Sequence, residues 1–258
     1  MKPRLWAALC MLVAMQSSGA GAQVFEVIHP EIEAGGFEFE SLNGVSLVDV
    51  EDGEERSAHE IALSYAPFSF WKPTAAIEIA NPEGEDAEVE AFELENVFLL
   101  PFGTGHGDHH GHDHDEGPGF ALGLFVGWEV PNEGGVDEST VSFGPIGEVG
   151  IGPASVIANF FVEVPVDDDV DPGLAYALAA SVPVAEAISL GFEAHGDVEQ
   201  AFGDAPDLDD TEHYIGPAAF LDLDLGRERV LEPRLAMLFG LTEGSSDAVL
   251  SLNFELKF

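Results

Sequence analysis

The chain has little cysteine, little positive charge and no long apolar run beyond its amino terminus. Its single cysteine, Cys10, precedes residues 23–258, which can therefore form neither a disulfide framework nor a thiolate metal site. Only 8 lysines and arginines stand against 49 aspartates and glutamates, giving a net charge of −41. Because binding to nucleic-acid phosphates requires lysine and arginine, this balance argues against nucleic acid as a partner.

The amino terminus has the pattern of a secretory signal. Two basic residues precede the apolar run "LWAALCMLVAM", and Ala20 and Ala22 occupy the small-residue positions of a cleavage site. We therefore predict a cleaved signal peptide over residues 1–22, with Gln23 as the first residue of the mature chain. No later segment reaches about 18 continuous apolar residues, so a membrane-bound mature chain would have to be a β-barrel.

Two explanations of the acidity stay open. The carboxylates could serve function by attracting cations. Alternatively, an acidic surface with only three lysines, Lys2, Lys72 and Lys257, is typical of adaptation to a saline habitat. Disorder is not a third explanation, because 46% of the residues are hydrophobic.

Apolar and polar residues alternate with a period of two along much of the chain. The clearest case is the ending "AVLSLNFELKF", which places leucines and phenylalanines on one face and polar residues on the other. In an outer-membrane barrel this pattern directs apolar residues to lipid and polar residues to the lumen. A last strand that ends on Phe258 resembles the carboxy-terminal signal of bacterial outer-membrane barrels, so we expect outer-membrane lipid and the barrel assembly machinery as partners.

The same pattern predicts one closed, antiparallel, up-and-down all-β barrel over residues 23–258. The twelve predicted strands are 31–42, 57–66, 72–80, 87–100, 119–130, 140–151, 155–164, 173–182, 187–196, 212–225, 230–241 and 248–258. Long acidic connections alternate with short ones such as "GPAS" and "GRERV". Because outer-membrane barrels have long external loops and short periplasmic turns, an even strand number places both termini in the periplasm.

Three stretches carry a family resemblance: "HEIALSYAPFSFWKPTAAIEI", "HYIGPAAFLDL" and the ending "LAMLFGLTEGSSDAVLSLNFELKF". With the intervening pattern they resemble small proteobacterial outer-membrane barrels of the transporter type, in the MetA-pathway of phenol degradation family. The resemblance covers most of the mature chain and rests on pattern. It implies a channel-like outer-membrane protein for small solutes and no catalytic residues, so we do not expect an enzyme.

The predicted register turns a set of carboxylates towards the lumen, with Arg234 and Lys257 as the inward basic residues. A lumen lined by carboxylates concentrates cations and repels anions. The predicted lumen acids are Glu60, Glu78, Glu93, Glu95, Glu129, Glu163, Glu193, Asp222, Asp224 and Glu255. Barrel lumens are polar in general, and twelve strands make a narrow barrel that inward side chains could close, so a structural barrel with a plugged lumen stays an alternative.

A histidine-rich loop, residues 105–117, follows the fourth predicted strand. Imidazoles supported by carboxylates suit Zn, Ni or Cu as divalent ions, although the flexible spacing encodes no defined coordination geometry. The candidate ligands are His106, Asp108, His109, His110, His112, Asp113, His114 and Asp115. A solvated tract without a metal role is the simpler interpretation, and a soluble periplasmic β-sandwich that binds metal through this tract is the alternative to a barrel. Strand counting places the loop on the periplasmic side.

Overall fold

The computed structural model describes residues 23–48, 55–84, 86–102, 119–133, 135–167, 170–203 and 211–258. One short 3-10 helix, Gly135–Glu138, lies among strands in these ranges. The strands are β1 (Phe37–Ser46), β2 (Glu55–Tyr65), β3 (Trp71–Pro82), β4 (Glu88–Leu99), β5 (Phe120–Pro131), β6 (Thr140–Ile151), β7 (Ala154–Pro165), β8 (Gly173–Ala185), β9 (Ile188–Val198), β10 (Glu212–Leu221), β11 (Leu223–Asp224), β12 (Val230–Gly240) and β13 (Ala248–Lys257).

The strands close into one antiparallel barrel. Each strand from β1 to β10 pairs with its neighbour in sequence, β12 pairs with β13, and the barrel closes through β13–β1 and β10–β12 pairing. The two-residue strand β11 only extends the edge next to β12. Twelve strands therefore form the wall, which confirms the all-β single-barrel prediction. In a closed barrel every strand has two hydrogen-bonded neighbours, so the wall leaves no free edge.

The outer face of the wall is apolar. Strand β5 shows the pattern: Phe120, Leu122 and Leu124 are exposed on the outside, whereas Gly123 and Phe125 are buried on the inside. Exposed leucine, isoleucine and phenylalanine side chains recur in the same way on most other strands. A continuous apolar outer surface of this kind is unfavourable in water and is the surface that lipid-embedded barrels present.

An aromatic cluster lies at one end of the barrel. The Phe68 and Phe70 rings stack 5.4 Å apart, and the Phe37 ring stacks on Tyr65 at 4.5 Å. Aromatic girdles of this kind mark the boundary between lipid and water in outer-membrane barrels. This end also holds the start of β1 and the carboxy terminus, where Phe37 and Phe258 exchange backbone hydrogen bonds of 2.9 Å. We call it the terminal end, and the opposite end the distal end.

The first predicted strand is wrong in its bounds. The wall begins at Phe37, and residues 23–36 are not part of any of its strands. The structure turns at Gly35, whose φ of 88° is costly for residues with a Cβ, and the Gly35 amide donates to the Ala66 carbonyl at 2.7 Å. The alternation in "EIEAGG" therefore belongs to a segment that enters the barrel rather than to its wall.

The tenth predicted strand, 212–225, is too long. Strand β10 ends at Leu221, and a tight turn follows in which Gly226, Arg227 and Glu228 all have positive φ, between 60° and 71°. The alternating pattern runs on past Asp222, where β10 has ended, into the two-residue strand β11, which pairs with β12 before this turn.

The connection between β4 and β5 lies at the terminal end, because β4 runs towards that end and finishes at Leu99. The histidine-rich loop falls within this connection, but residues 103–118 lie outside the described residues. Within the described ranges, no helix is long and apolar enough to cross a membrane.

Candidate functional site

The chain's own N-terminal segment, residues 23–36, occupies the lumen. Phe25 packs against Tyr214 and Leu238 on one side of the wall. Two residues further on, Val27 packs against Ile157 on another side. Ile28 then meets a third group of residues: Val97, Phe125 and Ile146. Because these three side chains reach different parts of the wall, the segment lies across the lumen rather than along one side of it.

Wall residues also satisfy the backbone of this segment. The Asn159 side chain accepts from the Ile28 amide at 2.8 Å and donates to the Ile28 carbonyl at 2.9 Å. The Phe25 carbonyl accepts from Arg234 Nη2 at 2.5 Å and from Asn253 Nδ2 at 2.7 Å. Buried backbone groups are costly unless paired, so these three side chains stabilise the segment in an extended conformation that has no strand partner.

The start of the segment rests on β1. A Cβ at Gly44 would lie 1.9 Å from the Gln23 carbonyl oxygen, so only glycine leaves room for the segment there. The Gln23 side-chain amide donates to Glu212 of β10. Gly44 and Glu212 both lie near the distal end, so the segment runs through the lumen from the distal end at Gln23 to the terminal end at Gly35.

Two cavities lie on either side of the segment. The larger, about 380 Å³, opens towards the terminal end and is lined by Glu38, Glu40, Lys72, Glu255 and Lys257 among others. The smaller, about 200 Å³, lies towards the distal end and is lined by Gln23, Glu163, Asp197 and Glu212 among others. Residues of the segment line both cavities, so the segment is what separates them.

Most of the predicted lumen acids have inward-facing positions. They alternate with the exposed apolar residues of their strands and share a face with the buried inner residues. The acids at inward positions are Glu60, Glu78, Glu93, Glu95, Glu129, Glu163, Glu193 and Glu255. Asp222 lines the mouth of the larger cavity just beyond the end of β10.

Asp224 is placed differently from the prediction. It is exposed, and its Oδ1 accepts a 2.6 Å hydrogen bond from the Gly226 amide within the turn. An aspartate side chain that binds a backbone amide two residues on is a common turn element. Asp224 therefore shapes the β10–β12 connection and does not line the lumen.

Carboxylates face one another across neighbouring strands in the distal half. The register pairs Glu60 with Glu78, and Glu93 with Glu129. It also pairs Glu212 with Asp197, which in turn interacts with Glu163. Like charges directly opposite one another in a sheet repel.

No lysine or arginine faces the lumen in this half of the described chain. Its one described lysine or arginine, Arg56, is exposed at the rim and donates to Glu83 at 2.7 Å. The distal acids are therefore not neutralised by the described basic side chains.

The terminal half carries bases as well as acids. Glu38, Glu40 and Glu255 each place a carboxylate oxygen within 4.8 Å of the other two, a spacing that a cation could bridge. However, the Lys72 ammonium lies 2.5 Å from Glu38, and Lys257 lies 3.5 Å from Glu255. Two of the three carboxylates, Glu38 and Glu255, therefore already have a lysine of the chain as partner. Sequence reasoning missed Lys72, although the alternation that turns Glu78 inward extends to Lys72.

A buried ionic network joins β9 to β12 beside the segment. Glu193, whose side chain is fully buried, lies 3.2 Å from His195 Nε2 and 3.3 Å from Arg234 Nε. The His195 ring also packs against the Phe25 ring, with centroids 4.9 Å apart. The network therefore connects the wall to Phe25, a buried residue of the segment.

The comparisons with known proteins give a fold and no family. No family model and no curated protein matches the chain, so the resemblance to the MetA-pathway of phenol degradation family stays a prediction. Among solved structures, the chain is similar to the COG4313 outer membrane channel from Pseudomonas putida F1, with 11% identity and a TM-score of 0.62 over 91% of this chain and 100% of that one.

The chain is also similar to a KdgM porin solved in complex with disordered oligogalacturonate, with 8% identity and a TM-score of 0.51 over 86% of this chain and 98% of that one. At such identities the likeness shows the fold alone, which is that of outer-membrane channel barrels.

Proposed function

We propose that the protein is an outer-membrane channel of a Gram-negative bacterium that passes small solutes, prefers cations, and has its terminal end in the periplasm. The observation that carries this proposal is a closed barrel with an apolar outer face and carboxylates along its inner face. The outer face suits lipid, and the inner carboxylates suit cations. The fold shared with outer-membrane channels supports the same function.

The barrel should fractionate with the outer membrane and migrate faster on gels when it is not heated. Closed barrels resist detergent unless heated, because every strand is hydrogen-bonded on both sides. Sucrose-gradient fractionation and a comparison of heated and unheated samples check this. Recovery in the soluble periplasmic fraction would contradict the membrane assignment and favour a soluble sandwich.

Neutralising the acids of the smaller cavity should reduce the preference for cations. In the triple variant Glu163→Gln, Asp197→Asn, Glu212→Gln, we expect the potassium-to-chloride permeability ratio to fall by about threefold or more, because these carboxylates have no lysine or arginine partner among the described residues. The measurement is the reversal potential in a potassium chloride gradient across a planar bilayer.

A matched control removes three exposed acids at the same end of the barrel, by Glu133→Gln, Asp137→Asn and Glu138→Gln. These residues lie in the β5–β6 connection, outside the lumen. The control variant changes the net charge equally and should leave the ratio close to that of the parent. An equal effect from both triple variants would show that overall charge, and not the lumen, sets the selectivity.

The histidine-rich loop is proposed to bind divalent metal at the terminal end. Flexible histidine clusters bind Zn²⁺, Ni²⁺ or Cu²⁺ with affinities on the order of micromolar. Replacing His106, His109, His110, His112 and His114 by serine should abolish the heat of binding in calorimetry. Binding to the parent should also weaken below about pH 6, because imidazoles become protonated there. Equal heats from the parent and the variant would remove the proposal.

A further inference from the structure

Gln23 holds an unusual position. It is both the residue predicted to begin the mature chain and the residue at which the N-terminal segment reaches the distal half of the lumen. Its backbone is fixed against β1, because the position of a Cβ at Gly44 lies 1.9 Å from the Gln23 carbonyl oxygen and 3.6 Å from the Gln23 nitrogen. Its side chain is fixed independently by the hydrogen bond to Glu212. The Gln23 nitrogen is therefore at a defined place inside the barrel.

Four carboxylates share the smaller cavity with Gln23: Glu26, Glu163, Asp197 and Glu212. The other titratable side chains that line it are His195, Tyr176 and Tyr214. As described above, this half of the described chain turns no lysine or arginine into the lumen. An amide nitrogen at Gln23 would contribute no charge there, whereas a free amino group would contribute a positive charge.

We propose that signal cleavage before Gln23 creates an α-ammonium group that serves as the internal cation of the acidic distal cavity. Hydrolysis by a signal peptidase breaks the Ala22–Gln23 bond. Water supplies the hydroxyl of the new Ala22 carboxylate and a proton to the Gln23 nitrogen, which takes up a second proton at neutral pH. The ammonium then holds the segment in the lumen by charge as well as by packing, and a single positive charge beside Glu26, Glu163, Asp197 and Glu212 leaves the cavity acidic.

The same arrangement should suppress a side reaction of the amino terminus, the cyclisation of glutamine. A free amino-terminal glutamine can cyclise: its uncharged α-nitrogen attacks the side-chain Cδ, a new C–N bond forms, and the side-chain nitrogen leaves as ammonia. The carboxylates favour the protonated, unreactive form of the amine, and the bond to Glu212 holds the side-chain amide. The folded barrel should therefore keep a free amino terminus.

The first test is the intact mass of protein purified from outer membranes. The expected mass is that of a chain that begins at Gln23 with no ammonia lost. A chain that begins at another residue, or one that has lost ammonia, would overturn the proposal.

The second test measures the protonation of the Gln23 α-amine. Gln23 and Gln200 are the two glutamines of the mature chain, so labelling with ¹³C-glutamine gives two sets of signals, and Gln200 serves as the internal control. The ¹³C shifts of Gln23 report protonation of its α-amine. In the folded barrel we expect the titration midpoint to lie about one pH unit above that of the chain unfolded in urea, because carboxylates stabilise the ammonium. A midpoint equal to or below that of the unfolded chain would overturn the proposal.

Variants test whether the carboxylates of the smaller cavity cause this shift in the titration midpoint. For this readout the variants must add no glutamine. The triple variant Glu163→Ala, Asp197→Asn, Glu212→Ala should return most of the shift towards the unfolded value, whereas the exposed triple variant Glu133→Ala, Asp137→Asn, Glu138→Ala should keep it. If both triple variants lower the titration midpoint of the Gln23 α-amine equally, the effect is one of net charge, and the proposal is overturned. Neither test requires conduction, so a barrel that passes no ions would end the proposed channel function and leave this inference standing.

Discussion

A barrel that lacks residues 23–32 is expected to conduct on the order of five times more current than the chain that begins at Gln23, because conductance follows the open cross-section of the lumen. The deleted residues include Phe25, Val27 and Ile28, which pack against three parts of the wall. Their removal would join the cavities of about 380 and 200 Å³ into one lumen. Both chains can be refolded from inclusion bodies and compared by single-channel recording at the same salt concentration.

A second variant tests whether the apolar contacts of the segment, and not only its presence in the chain, limit the conductance. Replacing Phe25, Val27 and Ile28 by serine keeps the chain length but removes the apolar contacts that hold the segment. This variant should open intermittently, between the parent level and the level of the deletion. If the deletion conducts no more than the parent, the inward side chains of the wall, and not the segment, close the lumen.

The wall of the barrel could be predicted closely because its signal is local. Strand β6 was predicted at 140–151 and is observed there, and β5 and β7 agree within one residue at each end. In each, apolar residues face outward at every second position, so the pattern can be read without knowing which strand lies beside it. Pairing with neighbours in sequence then leaves little freedom in how the strands are ordered.

The N-terminal segment could not be predicted because its partners are remote. Asn159, Arg234 and Asn253, which bind its backbone, lie more than a hundred residues away in sequence. The stretch "VFEVIHPEIE" alternates much as a strand does, so periodicity alone assigned part of it to the wall. The glycine pair at 35–36 was the one local sign that the chain turns before β1 begins.

The inward positions of the predicted acids follow from the same alternation wherever a strand continues. Glu60, Glu78 and Glu93 have inward positions because each lies within an unbroken strand. Asp224 differs because β10 ends at Leu221, and Asp224 lies in the short strand β11 at the rim, where its side chain binds the turn. The period-two pattern continues across this break and does not reveal it. Which acids lack a basic partner depends on pairing between strands, and only the structure supplies that.

Replacing Arg234 with methionine is expected to lower the free energy of unfolding by about 3 kcal/mol, because removing one partner of a buried ion pair leaves the other charge uncompensated. Glu193 is fully buried, and its Oε1 has no hydrogen-bond partner, so the Arg234 Nε at 3.3 Å is the group that compensates it. The Phe25 carbonyl would lose one of two donors and keep Asn253. Urea unfolding of the refolded barrel in lipid vesicles, followed by tryptophan fluorescence, gives the free energy.

The double variant Glu193→Gln, Arg234→Met tests whether the loss comes from the isolated charge. Replacing the carboxylate with a neutral amide removes the uncompensated charge, so the double variant should be more stable than Arg234→Met alone and recover more than half of the lost free energy. The amide can still bind His195, which lies 3.2 Å from the other carboxylate oxygen. If the two losses simply add, Arg234 stabilises the barrel by packing and by its bond to the Phe25 carbonyl, and its charge contributes little.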